Sequence, residues 1–342
     1  MYATVKPLLF KIDAESAHKL TITGLNLASR FQLLSRMIER ACGNNHTQSP
    51  IKVMGINFPN PVGLAAGLDK DAVACNALSR LGFGWLELGT VTPKPQPGNP
   101  RPRMFRLTDH QAIINRMGFN SVGLDIFLKN ISRADADIIK GINIGKNAST
   151  PMSNAVNDYL AGLKRVFPFA DYVTINISSP NTKNLRDLQE EELLNKLLRS
   201  LNAERQKLSD QSGKRLPLVL KISPDISSGQ VSAICQLMRK HTIDGLAATN
   251  TTVARRQVEN HPLANEVGGL SGKPLQLQST KIIGDFYQNL QEEIPIIAIG
   301  GIHNAQSAKE KIEAGAKLIQ LYTGFIYQGP GLIQDILASL KQ

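Results

Sequence analysis

From residue 60 onward, short apolar runs rich in Val and Ile alternate with Gly/Asn/Thr-rich turns and with segments of helical period. The runs are VGLAAG (62–67), WLELGTV (85–91), IIKGINIG (138–145), YVTINIS (172–178), LPLVLKIS (216–223), GLAATN (245–250), IPIIAIGG (294–301) and LIQLYTG (318–324). Helices are predicted between them over 71–81, 187–207, 227–240, 304–314 and 330–340. Near-continuous apolar strands alternating with helices imply a parallel sheet covered on both faces. Eight such strands predict an α/β fold of the (β/α)8 TIM-barrel type, because a doubly wound sheet usually shows about five to seven. Their polar ends fall where barrel active sites are built. Two insertions break the rhythm. PKPQPGNPRPRMFRL (93–107) is too Pro-rich for helix and reads as a loop with short strands over the barrel mouth. Residues 251–273 are long enough to act as a lid or binding loop.

A different module precedes the barrel. Residues 14–28 and 31–41 read as two helices, and FQLLSRMIERA sets Phe31, Leu34, Met37, Ile38 and Ala41 on one face. GNNHTQSP (43–50) is the linker, which divides the chain into a helical hairpin (1–45) and a barrel (46–342). Lys6, Lys11, Lys19, Arg30, Arg36 and Arg40 face only Asp13, Glu15 and Glu39. Two readings stand: a hairpin packed on the barrel, or a basic amphipathic module lying on a membrane surface.

Length and composition fit this outline. The 342 residues accommodate one barrel of about 250 with an appendage. A hydrophobic fraction of 42% and a charged fraction of 20% exclude disorder. No apolar run approaches the roughly 20 residues of a membrane span. Lys6, Lys11 and Asp13 interrupt any signal-peptide core, which argues against secretion. Cys42, Cys75 and Cys235 are odd in number and far apart, so neither a disulfide framework nor a C-x-x-C site is expected, and a reducing cytoplasm suits them. The six histidines (18, 46, 110, 241, 261, 303) lack metal spacing, so no metal is expected. A net charge of +11 calls for an anionic partner: nucleic acid, a membrane face or small anions.

Candidate chemistry clusters at the strand ends. IIAIGGIHN (296–304) and LYTGF (321–325) place Gly300, Gly301, Thr323 and Gly324 after strands seven and eight, where this fold commonly builds a phosphate site. Tight turns alone explain one glycine pair, but less readily two at the two expected strands. YVTINISSPNTKNL (172–185) crowds Asn176, Ser178, Ser179, Asn181 and Thr182 together with no His or Asp nearby, which excludes a Ser-His-Asp hydrolase and favours hydrogen-bond recognition. Asn115, Asn176, Asn181 and Asn250 together suit a small ring bearing alternate C=O and N–H groups, such as a pyrimidine. Lys70 and Lys221, at the ends of strands one and five, offer charge to a substrate carboxylate or a reduced flavin, or are simply solvated.

With these motifs in order, the chain resembles the class 2, quinone-dependent, membrane-associated dihydroorotate dehydrogenases. The resemblance covers essentially all 342 residues. It rests on GLAAGLDKD (63–71), ELGTVTPKPQPGNPRPRMFRL (87–107), INRMGFN (114–120), INIGKN (142–147), INISSPNT (175–182), LVLKISPD (218–225), ATNTT (248–252), GGLSGKPL (268–275), IGGI (299–302) and LYTGFIYQGP (321–330). It implies one FMN per subunit, contacted by Ala66, Gly67, Leu68, Asp69, Lys70, Thr90, Asn143 and Asn176. Lys221 and Thr249 would lie beside the flavin ring, and Gly272, Gly301, Tyr322 and Thr323 at its ribityl-phosphate end. Implied substrate contacts are Lys70, Asn115, Arg116, Met117, Gly118, Phe119, Asn176, Asn181, Asn250 and Thr251.

Ser179 matches the family's catalytic base. Class 1 relatives have Cys there, and they lack the N-terminal extension. The resemblance implies that Ser179 removes the C5 proton of dihydroorotate as a hydride leaves C6 for the flavin, with Thr182, shielded by Phe119, relaying the proton. A quinone would then reoxidise the flavin from a tunnel near His18, Arg106 and Tyr322. Ile326 is apolar where certain relatives carry a hydroxyl, and Thr323 stands where some have Ser. The implied setting is a monomer held peripherally on the cytoplasmic face of the inner membrane, without nucleic acid. Competing readings are another FMN barrel with a different acceptor, a dihydrouridine synthase (whose acid Cys is missing here), and a non-enzymatic basic module for RNA or lipid.

Overall fold

The computed structural model describes residues 2–42 and 49–341. Three helices come first: α1 (Tyr2–Phe10), α2 (Ala14–Ser29) and α3 (Gln32–Ala41). The sequence predicts only the latter two. Pro7 inside α1 removes an internal donor, so local propensity argues against this helix. Tertiary contacts hold it instead. Tyr2 OH donates to Ile326 O, Phe10 stands edge-on to Tyr327 at 5.3 Å, and Arg106 donates to Phe10 O at 2.9 Å. α2 starts where Asp13 Oδ1 accepts from Ser16 N at 2.8 Å. On α3, Phe31, Leu34 and Met37 are exposed, whereas Ile38 turns toward the core. The expected linker (43–50, with His46) and the boundary expected at 45/46 lie largely outside the described residues.

The hairpin β1 (Ile51–Val53) and β2 (Ile56–Phe58) closes the lower end of a barrel. Its strands are β3 (Val62–Leu64), β4 (Trp85–Val91), β7 (Lys140–Ile144), β8 (Tyr172–Asn176), β9 (Leu218–Ile222), β10 (Gly245–Ala248), β12 (Ile296–Ile299) and β13 (Ala316–Leu321). All eight pair in parallel, and β13 returns to β3, closing the ring. Each corresponds to one of the eight apolar runs. Phe58 packs on Trp85 (ring centroids 5.0 Å apart) and seals the bottom together with Tyr172, Val219, Ala247 and Leu318. A ligand therefore has access only from the opposite, carboxyl end.

The outer layer is α4 (Cys75–Ser79), α5 (Gly123–Ile131), α6 (Ala155–Val166), α7 (Glu191–Ser212), α8 (Ser228–Lys240), α9 (Gln276–Leu290), α10 (Ala305–Glu313), α11 (Thr323–Gln328) and α12 (Gly331–Leu340). The helix predicted over 71–81 shrinks to α4 because the Asp69 carboxylate holds Val73 N (2.9 Å) and Ala74 N (2.8 Å) in a turn, and Ala72 takes a φ of 55°. Over the mouth lies an antiparallel sheet, β5 (Met104–Leu107), β6 (Ala112–Asn115) and β11 (Gly269–Gly272). The first insertion supplies β5, as its pattern predicts. The second, expected to act as a lid or binding loop, contributes β11, and Arg255 pins the remainder by donating to the carbonyls of Ala264, Glu266 and Gly268.

Candidate active site

A cleft of about 1010 Å3, its open mouth included, occupies the carboxyl end of the barrel beneath the mouth sheet. Strand β8 delivers Asn176 to its floor. The Asn176 amide nitrogen donates to Thr90 Oγ1 (2.9 Å) and Asn143 Oδ1 (3.1 Å), and its oxygen accepts from Ser178 Oγ (3.0 Å). Asn250, just beyond β10, donates to Ser178 Oγ at 3.0 Å, and Asn181 donates to Asn115 Oδ1 at 3.2 Å. All four asparagines singled out in the sequence border one cavity. Ser179 lies among them, almost buried, its Oγ accepting from Asn181 N at 3.2 Å.

Under this layer the barrel centre holds a charge that the sequence reading missed. Glu87 of β4 is fully buried. Its carboxylate accepts from Asn143 Nδ2 (2.8 Å), Tyr172 OH (3.0 Å), Thr174 Oγ1 (3.1 Å) and Gln320 Nε2 (2.7 Å), and lies 3.8 Å from Lys221 Nζ. Burial lowers the Lys221 pKa while Glu87 opposes the shift. Inside WLELGTV, Glu87 breaks an apolar strand, which was the available signal. Which face it takes depends on barrel closure.

Lys70 is not on a strand end but in the loop after β3, with Nζ 2.5 Å from Asn120 Oδ1. Burial, and then the Arg103 guanidinium, lower its pKa to about 8, against Asp71 and Glu15. At the far end of the cleft, Gly272, Gly300, Gly301 and Gly324 bring backbone to the wall. Gly301 has a φ of +74°, and its α-carbon faces the Gln276 backbone so closely that no Cβ fits. Ser271 Oγ and Thr323 Oγ1 pair at 2.8 Å beside it. Of the two following helices, α10 has its N-terminus capped by Asn304, whose Oδ1 accepts from Ser307 N at 2.8 Å, whereas α11, with Tyr322 at its N-cap, has no side-chain cap.

The other expected residues sort cleanly. Ala66, Gly67, Thr90, Lys221, Thr249, Tyr322, Met117, Gly118, Phe119 and Thr251 also line the cleft. Four do not. Leu68 faces a separate groove, and Asp69 spends its carboxylate on the α4 turn, where burial raises its pKa to about 6. Asn143 sits one layer behind, bridging Thr90, Asn176 and Glu87. Arg116 turns outward to Glu266 (2.6 Å) and over the Phe105 ring. Ala65, Gln320, Ser271, Leu275, Ile299 and Ile302 complete the wall unforeseen. The side-chain oxygens Gln320 Oε1, Thr251 Oγ1 and, three residues after Ser179, Thr182 Oγ1 are buried without hydrogen-bond partners.

A second, mainly apolar groove of about 950 Å3 separates α1 and α2 from the barrel. His18, Arg106, Tyr322 and Ile326, the residues expected around a tunnel, all line it. Burial and then Lys70 lower the His18 pKa to about 4, so the ring is neutral at pH 7. Tyr322 belongs to both cavities, and burial raises its phenol to about 12.

A sequence profile described as dihydroorotate dehydrogenase matches residues 49–342. The chain belongs to the dihydroorotate dehydrogenase family. A dihydroorotate dehydrogenase (quinone) of Nitrosomonas eutropha is 52% identical over 340 residues, covering 99% of this chain and 97% of its own. That of Thiobacillus denitrificans is 50% identical over 342 residues and the full length of both. Among solved structures, dihydroorotate dehydrogenase of Eimeria tenella in complex with ferulenol superposes with a TM-score of 0.81 at 38% identity, covering 91% of this chain and 90% of that one. The profile begins at residue 49, whereas the alignments to the Nitrosomonas and Thiobacillus relatives also take in the N-terminal helices that wall the groove.

Proposed function

We propose that this chain is a quinone-linked dihydroorotate dehydrogenase that oxidises (S)-dihydroorotate to orotate with FMN, in de novo pyrimidine synthesis. One observation carries the reading: four carboxamides, a serine and a lysine converge on one cavity, and three nearby polar oxygens are buried without partners. The cavity also fits FMN. Backbone N–H groups around Gly272, Gly301 and Thr323 would take the phosphate, and Lys221, Thr249, Thr90, Asn176 and the free Gln320 Oε1 would meet the ring edge. FMN, when bound, supplies the acceptor for the hydride lost from C6.

The protein's own part is recognition and proton transfer. Asn115, Asn176, Asn181 and Asn250 present donors and acceptors to the imide edge of the ring. Lys70 meets the carboxylate and, with the asparagines, stabilises the enolate charge that develops as C5 loses its proton. Ser179 takes that proton, and the unpaired Thr182 hydroxyl receives it onward. The Tyr322-walled groove gives a quinone an apolar berth next to the cofactor cleft. The test is optical: dihydroorotate should bleach the flavin of the purified yellow protein, and a ubiquinone analogue should restore the colour. A flavin that dihydroorotate leaves oxidised overturns the substrate, and restoration by fumarate or NAD+ alone overturns the acceptor.

The N-terminal helices support peripheral attachment to the cytoplasmic face of the membrane. Among the described residues no helix is long and apolar enough to cross a membrane. Nine of the exposed large apolar side chains (Val5, Leu8, Ile12, Leu20, Leu27, Phe31, Leu33, Leu34, Met37) lie on or between these helices, against five elsewhere. Basic residues beside them would add about 1 kcal/mol each on an anionic leaflet. The chain should therefore sediment with vesicles containing anionic lipid, and the triple change Phe31→Ser, Leu33→Ser, Met37→Ser should release it. Unchanged sedimentation of that variant would place the membrane face elsewhere.

A further inference from the structure

Between the N-terminal helices and the substrate end of the cleft runs a continuous set of polar contacts, buried at the helix and half-buried toward the cleft. Glu15 of α2 is 4% exposed and Arg103 of the mouth loop 6%. The two form a two-pronged pair, Arg103 Nε to Glu15 Oε2 at 3.0 Å and Nη2 to Oε1 at 2.9 Å, and Arg101 adds a third bond at 2.8 Å. The remaining Arg103 nitrogen, Nη1, reaches past the helix and donates to Pro97 O (2.7 Å) and Asn99 O (2.8 Å). Asn99, held by that bond, donates through its side chain to Arg116 O (2.9 Å) and Asn181 O (3.2 Å). Asn181 in turn donates its backbone N–H to Ser179 Oγ and its amide to Asn115 Oδ1, each at 3.2 Å.

A buried guanidinium with every nitrogen committed holds its partners in one geometry. Here the partners are one helix of the N-terminal module and the loop that braces two walls of the cleft. Remove the Glu15 charge and Arg103 loses the acceptor that aims Nη1 at residues 97–99. The loop then slackens under Asn181, whose N–H donates the hydrogen bond that, among the described residues, holds the Ser179 hydroxyl.

We propose that Glu15 and Arg103 are positioning residues for the dihydroorotate side of the reaction, so that the N-terminal helices serve substrate oxidation as well as the quinone. The inference rests on the activity proposed above. A displacement of about 1 Å at a catalytic group can slow a step by up to roughly 100-fold.

The experiment separates the two half-reactions in holoprotein. Flavin reduction by dihydroorotate without quinone is followed by stopped flow, and reoxidation of dithionite-reduced protein by a soluble ubiquinone analogue is followed separately. Glu15→Gln and Asn99→Asp should each slow flavin reduction, or weaken orotate binding read from the flavin spectrum, by about tenfold or more. In Asn99→Asp, which lies outside the apolar groove, reoxidation should keep the wild-type rate. If Glu15→Gln fails to purify with flavin, Arg103→Lys, which keeps the charge but not the two-pronged geometry, takes its place under the same readouts. Wild-type reduction rates and orotate affinity in the variants overturn the inference, as does an equal loss in both half-reactions, the mark of a merely structural role. A wild-type flavin that dihydroorotate does not bleach overturns the proposed function itself, and the inference with it.

Discussion

Ser179→Ala is expected to slow flavin reduction by dihydroorotate by about 100- to 10,000-fold, the usual contribution of a positioned proton acceptor. The fold should survive the change. Ser179 Oγ accepts a single hydrogen bond, from Asn181 N, so its loss strands one N–H at a cost of about 1–3 kcal/mol. None of the cleft's glycine turns or the Glu87 network depends on it. The purified variant should therefore stay yellow with full flavin content. Its reduction rate, measured in single turnover without quinone, is the deciding quantity. A near-wild-type rate would take the proton-transfer role from Ser179 and pass it to another group bordering the cleft.

Glu87→Leu is expected to destabilise the protein by about 3–5 kcal/mol, the range for breaking one side of a buried charge pair. Leucine would leave Asn143 Nδ2, Tyr172 OH, Thr174 Oγ1 and Gln320 Nε2 without their common acceptor, and Lys221 without its counter-charge. Glu87→Gln keeps the shape and one acceptor oxygen, so its loss should be clearly smaller. Denaturant unfolding of the two variants compares them directly. Equal destabilisation would show that side-chain volume, rather than the acceptor and the charge, holds the barrel centre.

The N-terminal helices show where local pattern stops being informative. α2 has a side-chain cap in Asp13 and α3 has its periodicity, and the limits of both follow the sequence within a residue or two. α1 contradicts its own Pro7 and exists because Tyr2, Phe10 and Arg106 find partners some 96 to 324 residues away. At the cleft the difference is similar. Many residues of the family motifs line it, but Asp69 and Arg116, within the same motifs, turn to the loop before α4 and to Glu266. Adjacency in a motif does not settle side-chain direction, because a loop can reverse that direction within one residue.

The barrel was legible from hydrophobic period alone. A parallel strand buried on both faces must be apolar along its whole length, and that requirement writes itself into each run. That the strand-end asparagines, glycines and Ser179 gather at one end of the barrel was legible as well, since strand order alone places their positions there. Only the tertiary structure decided how Glu87 joins four donors and a lysine, and how Glu15 reaches the Asn181 loop through Arg103. Those contacts join residues 82 and 88 positions apart in the Glu15 path and five different strands around Glu87. Each partner alone has an ordinary surface or turn composition, and only chain closure brings them within hydrogen-bond reach.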